Sequence, residues 1–246
     1  MLQSSLLRRT LEILYFAAMN SKQEYLPQIT IDCVIFGFSG AQLQILLQKP
    51  SVEHAKGLWK LPGDHVHLQK TTQQTAIDTL QSLTGIGNVY LEQLHTFDAI
   101  DRFPLERRLT VAYYALIQPE NYTITLGAKS SSVAWFPFDS IPELPYDHNE
   151  IALFARDRLR QQVRIKPIGF ELLPEKFSLA ELKTLYEVLL DTKLDKSNFR
   201  RKILRMNLLI GLEEFQQNKN HRLARLYKFD AEAYEELREE GFSFYF

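Results

Sequence analysis

The sequence predicts an α+β chain in two parts, an N-terminal α/β/α sandwich on a mixed sheet followed by a C-terminal winged helix-turn-helix. Three observations carry this. Strand-length apolar runs fill the first part and are interrupted by one helix-length run, an order that packs as a sandwich rather than a doubly wound sheet. The second part reads helix, short turn, helix, hairpin, the element order of a winged helix-turn-helix. The charge changes sign between the parts: residues 1–150 hold 11 Lys and Arg against 15 Asp and Glu, residues 151–230 hold 17 against 10, and residues 231–246 hold 1 against 5. A basic segment inside a chain of net charge −1 points to a polyanion that faces one part only.

Taken in order, the chain opens with MLQSSLLRRTLEILYFAAMN, where Arg8 and Arg9 precede a partly apolar run. Glu12 interrupts that run and no small-residue cleavage pattern follows, which argues against a secretion signal. Residues 1–24 are expected to be an extension, read either as a loosely attached amphipathic helix or as sequence preceding a true start at Met19. Ile29–Phe38 (ITIDCVIFGF) reads as a buried β-branched strand, turned by Ser39-Gly40 into a second strand at Leu43–Gln48. After Trp59 and the Leu61-Pro62-Gly63 turn comes a short apolar piece around Val66. A helix is expected over Thr72–Thr84, with Ala76, Leu80 and Leu83 on one face. Asn88–His95, Leu109–Ile117 and Val133–Phe138 are the remaining strands of a domain expected over residues 25–162. No apolar run reaches the roughly 20 residues of a membrane span. The single cysteine, Cys33, excludes a disulfide framework and fits the reducing cytoplasm.

A helical stretch over Asn149–Gln162 leads to a junction at Gln161–Gly169, where Pro167 and Gly169 break the pattern. Residues 163–246 form the expected second domain. Ser178-Leu-Ala-Glu181 is a capping box that opens a helix with Leu182, Leu185, Tyr186 and Leu189 on one face. Asp195 is placed to cap a second helix, Lys196–Met206. Leu208–Gln217 and His221–Phe229 read as a hairpin.

The second of these helices carries the clearest chemistry. Phe199, Ile203 and Met206 share the inward face, while Ser197, Asn198, Arg200, Arg201 and Arg205 point away. Arg and Asn are the side chains best able to grip guanine and adenine edges, and the cations suit phosphates. Lys193 and Lys196 at the helix start, and Lys219, His221, Arg222 and Arg225 on the wing, extend the basic surface. In the first part, the loop Asp98–Arg108 gathers charges between two strands. Asp101, Arg102 and Arg107 are its candidate ligand-binding residues, and Lys49 and Trp59 are added from the neighbouring strand and turn. His65 and His67 alternate on a strand, but a lone His-x-His is a weak zinc signal, and no metal ligand or cofactor is assigned.

Gly57–Ile86, GLWKLPGDHVHLQKTTQQTAIDTLQSLTGI, resembles the Nudix box, the metal-diphosphate motif of Nudix hydrolases. With Gly85-Ile86 as its terminal pair, the four glutamate positions of the motif fall on Lys70, Thr79, Ser82 and Leu83. Its arginine falls on Asp78 and its opening glycine on Asp64. Without those carboxylates nothing holds a divalent cation, so no catalytic residue is assigned and a non-enzyme is expected. Together with IGFELLPEKFSLAELKTLYEVLL at Ile168–Leu190, DKSNFRRKIL at Asp195–Leu204 and LARLYKF at Leu223–Phe229, the chain is similar to the Nudix-related transcriptional regulators of the NrtR-like family. The resemblance runs from about Leu26 to Phe246. The family's Gly-Arg-Pro/Gly-Ala signature is replaced by His221-Arg222-Leu223-Ala224, and the first 24 residues match nothing in the pattern.

The resemblance implies a Nudix-like sensor domain that also forms a homodimer, and winged helices that bind a palindromic double-stranded DNA operator. It implies a small effector, either an ADP-ribose-like nucleotide or a sugar such as a pentose. Two alternatives stay open: a Nudix hydrolase of a nucleoside diphosphate derivative, and a module whose basic helices bind an acidic protein.

Overall fold

A computed structural model describes residues 24–51, 57–217, 223–242 and 244–245. The N-terminal extension, with both of its readings, and the wing residues Lys219, His221 and Arg222 lie outside the described residues.

The sheet is organised around β1 (Tyr25–Ser39). Its side chains alternate between two cores. Ile31, Cys33 and Ile35 face one way and Val34 and Phe36 the other, all fully buried, as expected of a strand covered on both faces. Gly40 and Ala41 both take positive φ, 59° and 62°, and this two-residue turn pairs Ser39 with Gln42. β2 (Gln42–Pro50) follows, then β3 (Gly63–His67). β1 is long enough to hold β3 along its first half and β2 along its last four residues on the same edge.

Helix α1 (Thr72–Thr84) starts at a capping box of Thr71 and Gln74 and stops at Gly85, whose φ of 78° is left-handed. β4 occupies Glu92–Phe97 rather than the Asn88–His95 expected. Asn88 sits at φ 55°, which no strand accommodates, so pairing with β5 (Leu109–Ile117) begins later. β6 (Ser130–Pro137) ends at a proline, and Phe138 enters a 3₁₀ turn. The sheet order is β4-β5-β1-β2-β6, with β5 parallel to β1 and the other pairs antiparallel. That is the mixed sheet expected.

Helix α2 (His148–Ile165) covers the face opposite α1. Ile151, Ala152, Ala155, Leu159 and Val163 share one apolar cluster with Phe36, Ile45 and Leu47 of the sheet. The helix runs into the expected junction and stops at Lys166, held extended at φ −139° and ψ 148° because Pro167 follows. A 3₁₀ segment, Pro167–Leu172, leads to β7 (Phe177–Ser178) and helix α3 (Leu179–Leu190). Helix α4 (Lys196–Arg205) precedes β8 (Leu209–Gln217) and β9 (Leu223–Phe229). Sheet order β7-β9-β8 completes a winged helix.

Leu182, Leu185, Tyr186 and Leu189 of α3 join the cluster that holds α2, so the helix belongs to the cores of both parts. A further helix, α5 (Ala231–Glu239), capped by Asp230, was not expected from the sequence. Among the described residues no helix is long and apolar enough to cross a membrane.

Candidate ligand cavity and nucleic-acid interface

A cavity of about 270 Å³ opens where β1, β3, the β4–β5 loop and the start of α2 meet, lined by Asp32, Lys60, Asp64, His65, Arg102, Phe103, Arg108, Tyr146 and His148 among others. Its floor is a network of buried charges. Arg102 donates through Nε and Nη2 to both oxygens of Asp147, at 2.8 Å each, and its Nη2 lies 3.7 Å from Asp32. Asp32 is the one charged residue in an otherwise apolar stretch of β1. Burial pushes its carboxyl up to about 6, against the pull of Arg102.

His148 is not part of an ion pair, although its Nε2 is 3.5 Å from Asp32. Burial, and then Lys60, push its pKa down to about 3. Its Nδ1 accepts the Leu61 N–H at 3.1 Å, so the neutral ring carries its proton on Nε2, facing Asp32. Gly63 closes the arrangement. A Cβ there would run into the Asp32 carboxylate and the Ile31 carbonyl, so only glycine lets β3 approach β1 this closely.

Of the loop residues expected to bind a ligand, Arg102 reaches the cavity, while Asp101 and Arg107 are exposed and line none of it. Arg102 pairs with Asp147, not with its neighbour Asp101. Lys49 lies 4.8 Å above the Trp59 ring, but neither residue lines the cavity. Sequence reasoning passed over Asp32, Lys60, Arg108, Tyr146, Asp147 and His148. For Asp32 a signal existed, a lone carboxylate in a buried strand; the others are assembled by long-range packing. His65 lines the cavity, whereas His67 accepts from Gln69 N–H and meets Tyr25 edge-on.

The residues at the Nudix-box positions do not fit a divalent cation. Thr79 and Leu83 are buried in the α1 core, and the Ser82 hydroxyl donates to the Thr79 carbonyl at 3.0 Å. The acids left nearby are each held by a lysine: Asp78 by Lys70 and Asp64 by Lys129, both at 2.6 Å.

The second surface is α4. Asp195 accepts the Asn198 N–H at 2.8 Å and starts the helix. Phe199 and Ile203 are buried, so Lys196, Ser197, Asn198, Arg200, Arg201 and Arg205 are left exposed, with Lys193 exposed just before them. The helix has no acidic residue. Arg201 donates to the Asn198 side chain at 2.6 Å, which orients both groups. Arg225 on the wing is differently placed. Its guanidinium is bound to the Gly211 and Leu212 carbonyls and to Glu213, so it braces the hairpin.

Two family models match the chain, the Nudix domain over residues 26–157 and the NrtR DNA-binding winged helix domain over residues 169–229. A curated relative, the ADPR responsive transcriptional repressor NtrR of Acinetobacter baylyi, is 33% identical over 227 residues, which is 89% of each chain. Among solved structures, Shewanella oneidensis NrtR in complex with a 27mer DNA is 29% identical with a TM-score of 0.69, covering 85% of this chain and 96% of that one. The Nudix domain of the same Shewanella protein, complexed with ADP ribose, is 29% identical with a TM-score of 0.51, covering 58% of this chain and 97% of that one.

Proposed function

Because the chain belongs to the NrtR family of transcriptional regulators, with a Nudix domain and a DNA-binding winged helix, we propose that it is a cytoplasmic regulator that binds an ADP-ribose-like nucleotide without hydrolysing it. The observation that carries this reading is how the charges are divided. α1 presents threonine, serine and leucine where a hydrolase needs carboxylates, while α4 presents an exposed, acid-free face of arginine, lysine and asparagine.

The cavity supports a nucleotide ligand. Lys60, Arg102 and Arg108 suit a diphosphate and Asp32 and Asp64 suit ribose hydroxyls. At about 270 Å³ it houses the ribose-diphosphate end of such a molecule rather than all of it. On DNA, Lys193, Lys196, Ser197, Asn198, Arg200, Arg201 and Arg205 face the groove and its phosphates. We place the division between the sensor domain (25–162) and the DNA-binding domain (163–246) within the last turn of α2. We further propose that two copies associate through the Nudix domain to read a palindromic operator.

Calorimetric titration tests the sensor reading. ADP-ribose binds, and no AMP appears in the presence of Mg²⁺. Binding of a pentose in place of ADP-ribose would move the effector to the sugar class. Mg²⁺-dependent release of AMP would favour a hydrolase.

A further inference from the structure

We propose that Arg102, Asp147 and helix α2 form the switch by which an anionic ligand in the cavity repositions the winged helix; the inference rests on the cavity being an ADP-ribose-like site. Asp147 stands at the N-cap position of α2, where an aspartate ordinarily accepts a first-turn N–H. Here it accepts none, and both of its oxygens accept from Arg102 instead. Arg102 also lines the cavity, so a diphosphate bound there offers the same guanidinium a second bidentate acceptor. Two discrete arrangements follow. In one, Arg102 holds Asp147 and α2 starts without a side-chain cap. In the other, the ligand holds Arg102 and Asp147 returns to cap the helix. A ligand regulates only by binding one of two such states more tightly than the other.

The change at Asp147 involves the backbone. It now sits at φ −94° and ψ 15°, whereas Asp195, which does cap its helix, is extended at φ −64° and ψ 129°. Moving between these geometries re-aims the first turn of α2, while the His148–Leu61 hydrogen bond tethers that end to the sheet. About 18 Å further along the helix, Arg160 donates to the Leu189 carbonyl at 3.2 Å and pairs with Asp191, also at 3.2 Å. These two groups end α3, the helix that packs beside α4. A cation on the last carbonyls of a helix is a favourable and directional contact, so α2 is bonded to the sensor at one end and to the DNA-reading domain at the other.

The test measures affinity for duplex DNA from upstream of the protein's own gene, by fluorescence anisotropy, with and without saturating ADP-ribose. The proteins compared are wild type, Asp147→Asn and Arg160→Gln. Wild type is expected to change affinity by about five- to 150-fold on adding ADP-ribose, and both variants by less than about twofold. Calorimetry is expected to show Arg160→Gln binding ADP-ribose as wild type does, and Asp147→Asn binding it several-fold more tightly, since the competitor for Arg102 is weakened. A wild-type response retained in either variant overturns the switch, as does loss of ADP-ribose binding in Arg160→Gln, whose residue touches no part of the cavity. Absence of ADP-ribose binding by wild type in the calorimeter overturns the reading of the cavity on which the switch rests, whereas binding with no change in DNA affinity overturns the switch.

Discussion

The Lys70 ammonium lies 2.6 Å from the Asp78 carboxylate, joining the segment before α1 to the middle of that helix. In the Nudix-box alignment these two positions belong to a glutamate and an arginine, so the chain holds the opposite charges at both and still forms a pair. Both side chains are about half exposed, and an exposed pair of this kind contributes little to stability. Asp78→Ala is expected to lower the unfolding free energy by less than ~1 kcal/mol and to leave ADP-ribose uncleaved in Mg²⁺, as in wild type. AMP release by wild type that the substitution abolishes would show that Asp78 acts in hydrolysis.

The pH dependence of folding isolates the buried network. Asp32 has its carboxyl raised from 3.8 to about 6, so its contribution is fully present below the lower value and is lost as pH rises through the upper one. His148 is lowered from 6.5 to about 3, so its contribution is present above 6.5 and is lost as pH falls toward 3. The two slopes oppose each other between about pH 4 and 6. Asp32→Asn removes one of them. Relative to wild type, its stability should fall by about 1 kcal/mol for each unit of acidification in that window, read from urea unfolding at three pH values. Parallel curves for the two proteins would mean that Asp32 is ionised throughout.

Gly63→Ala places a methyl group against the Ile31 carbonyl and the Asp32 carboxylate. The carbonyl belongs to β1 and cannot swing aside. The substitution should cost about 1–3 kcal/mol of stability and weaken ADP-ribose binding, because Asp32 and Arg102 shift with it. Wild-type affinity in the variant would separate the β1–β3 approach from the cavity.

The arginines of the winged helix should divide into two groups. Arg201→Ala and Arg205→Ala remove exposed cations from α4 and should each reduce the slope of log affinity against log salt by about 0.9 for every phosphate no longer neutralised, with little change in melting temperature. Arg225→Ala should leave that slope intact and destabilise the hairpin, since its guanidinium is bound to Gly211, Leu212 and Glu213. Unchanged DNA affinity in the α4 variants would favour an acidic protein as the partner of this face.

The parts of the fold that were legible in the sequence are those specified locally. The Ser178–Glu181 capping box, the Asp195 cap and the apolar face of α1 each depend on residues within one or two turns of one another. The start of β4 was less so, because the left-handed geometry of Asn88 leaves no mark on hydropathy. Helix α5 was not read from the sequence; AEAYEELRE is only nine residues long and none of them is fully buried. The cavity was the least legible. Arg102 and Asp147 are 45 residues apart, and only the close packing of β1, the β4–β5 loop and α2 brings them together. The one signal left unread was Asp32 inside ITIDCVIFGF, a carboxylate in a buried strand that needs a partner.

On the proposed function, this chain couples a ligand in the Nudix domain to DNA held by the winged helix. The most direct test is the affinity for its own upstream DNA across a range of salt concentrations, with and without ADP-ribose. Affinity should fall steeply with salt and shift by about fivefold or more when ADP-ribose is added. Affinity that is insensitive to salt, or identical in the presence and absence of ADP-ribose, would contradict it.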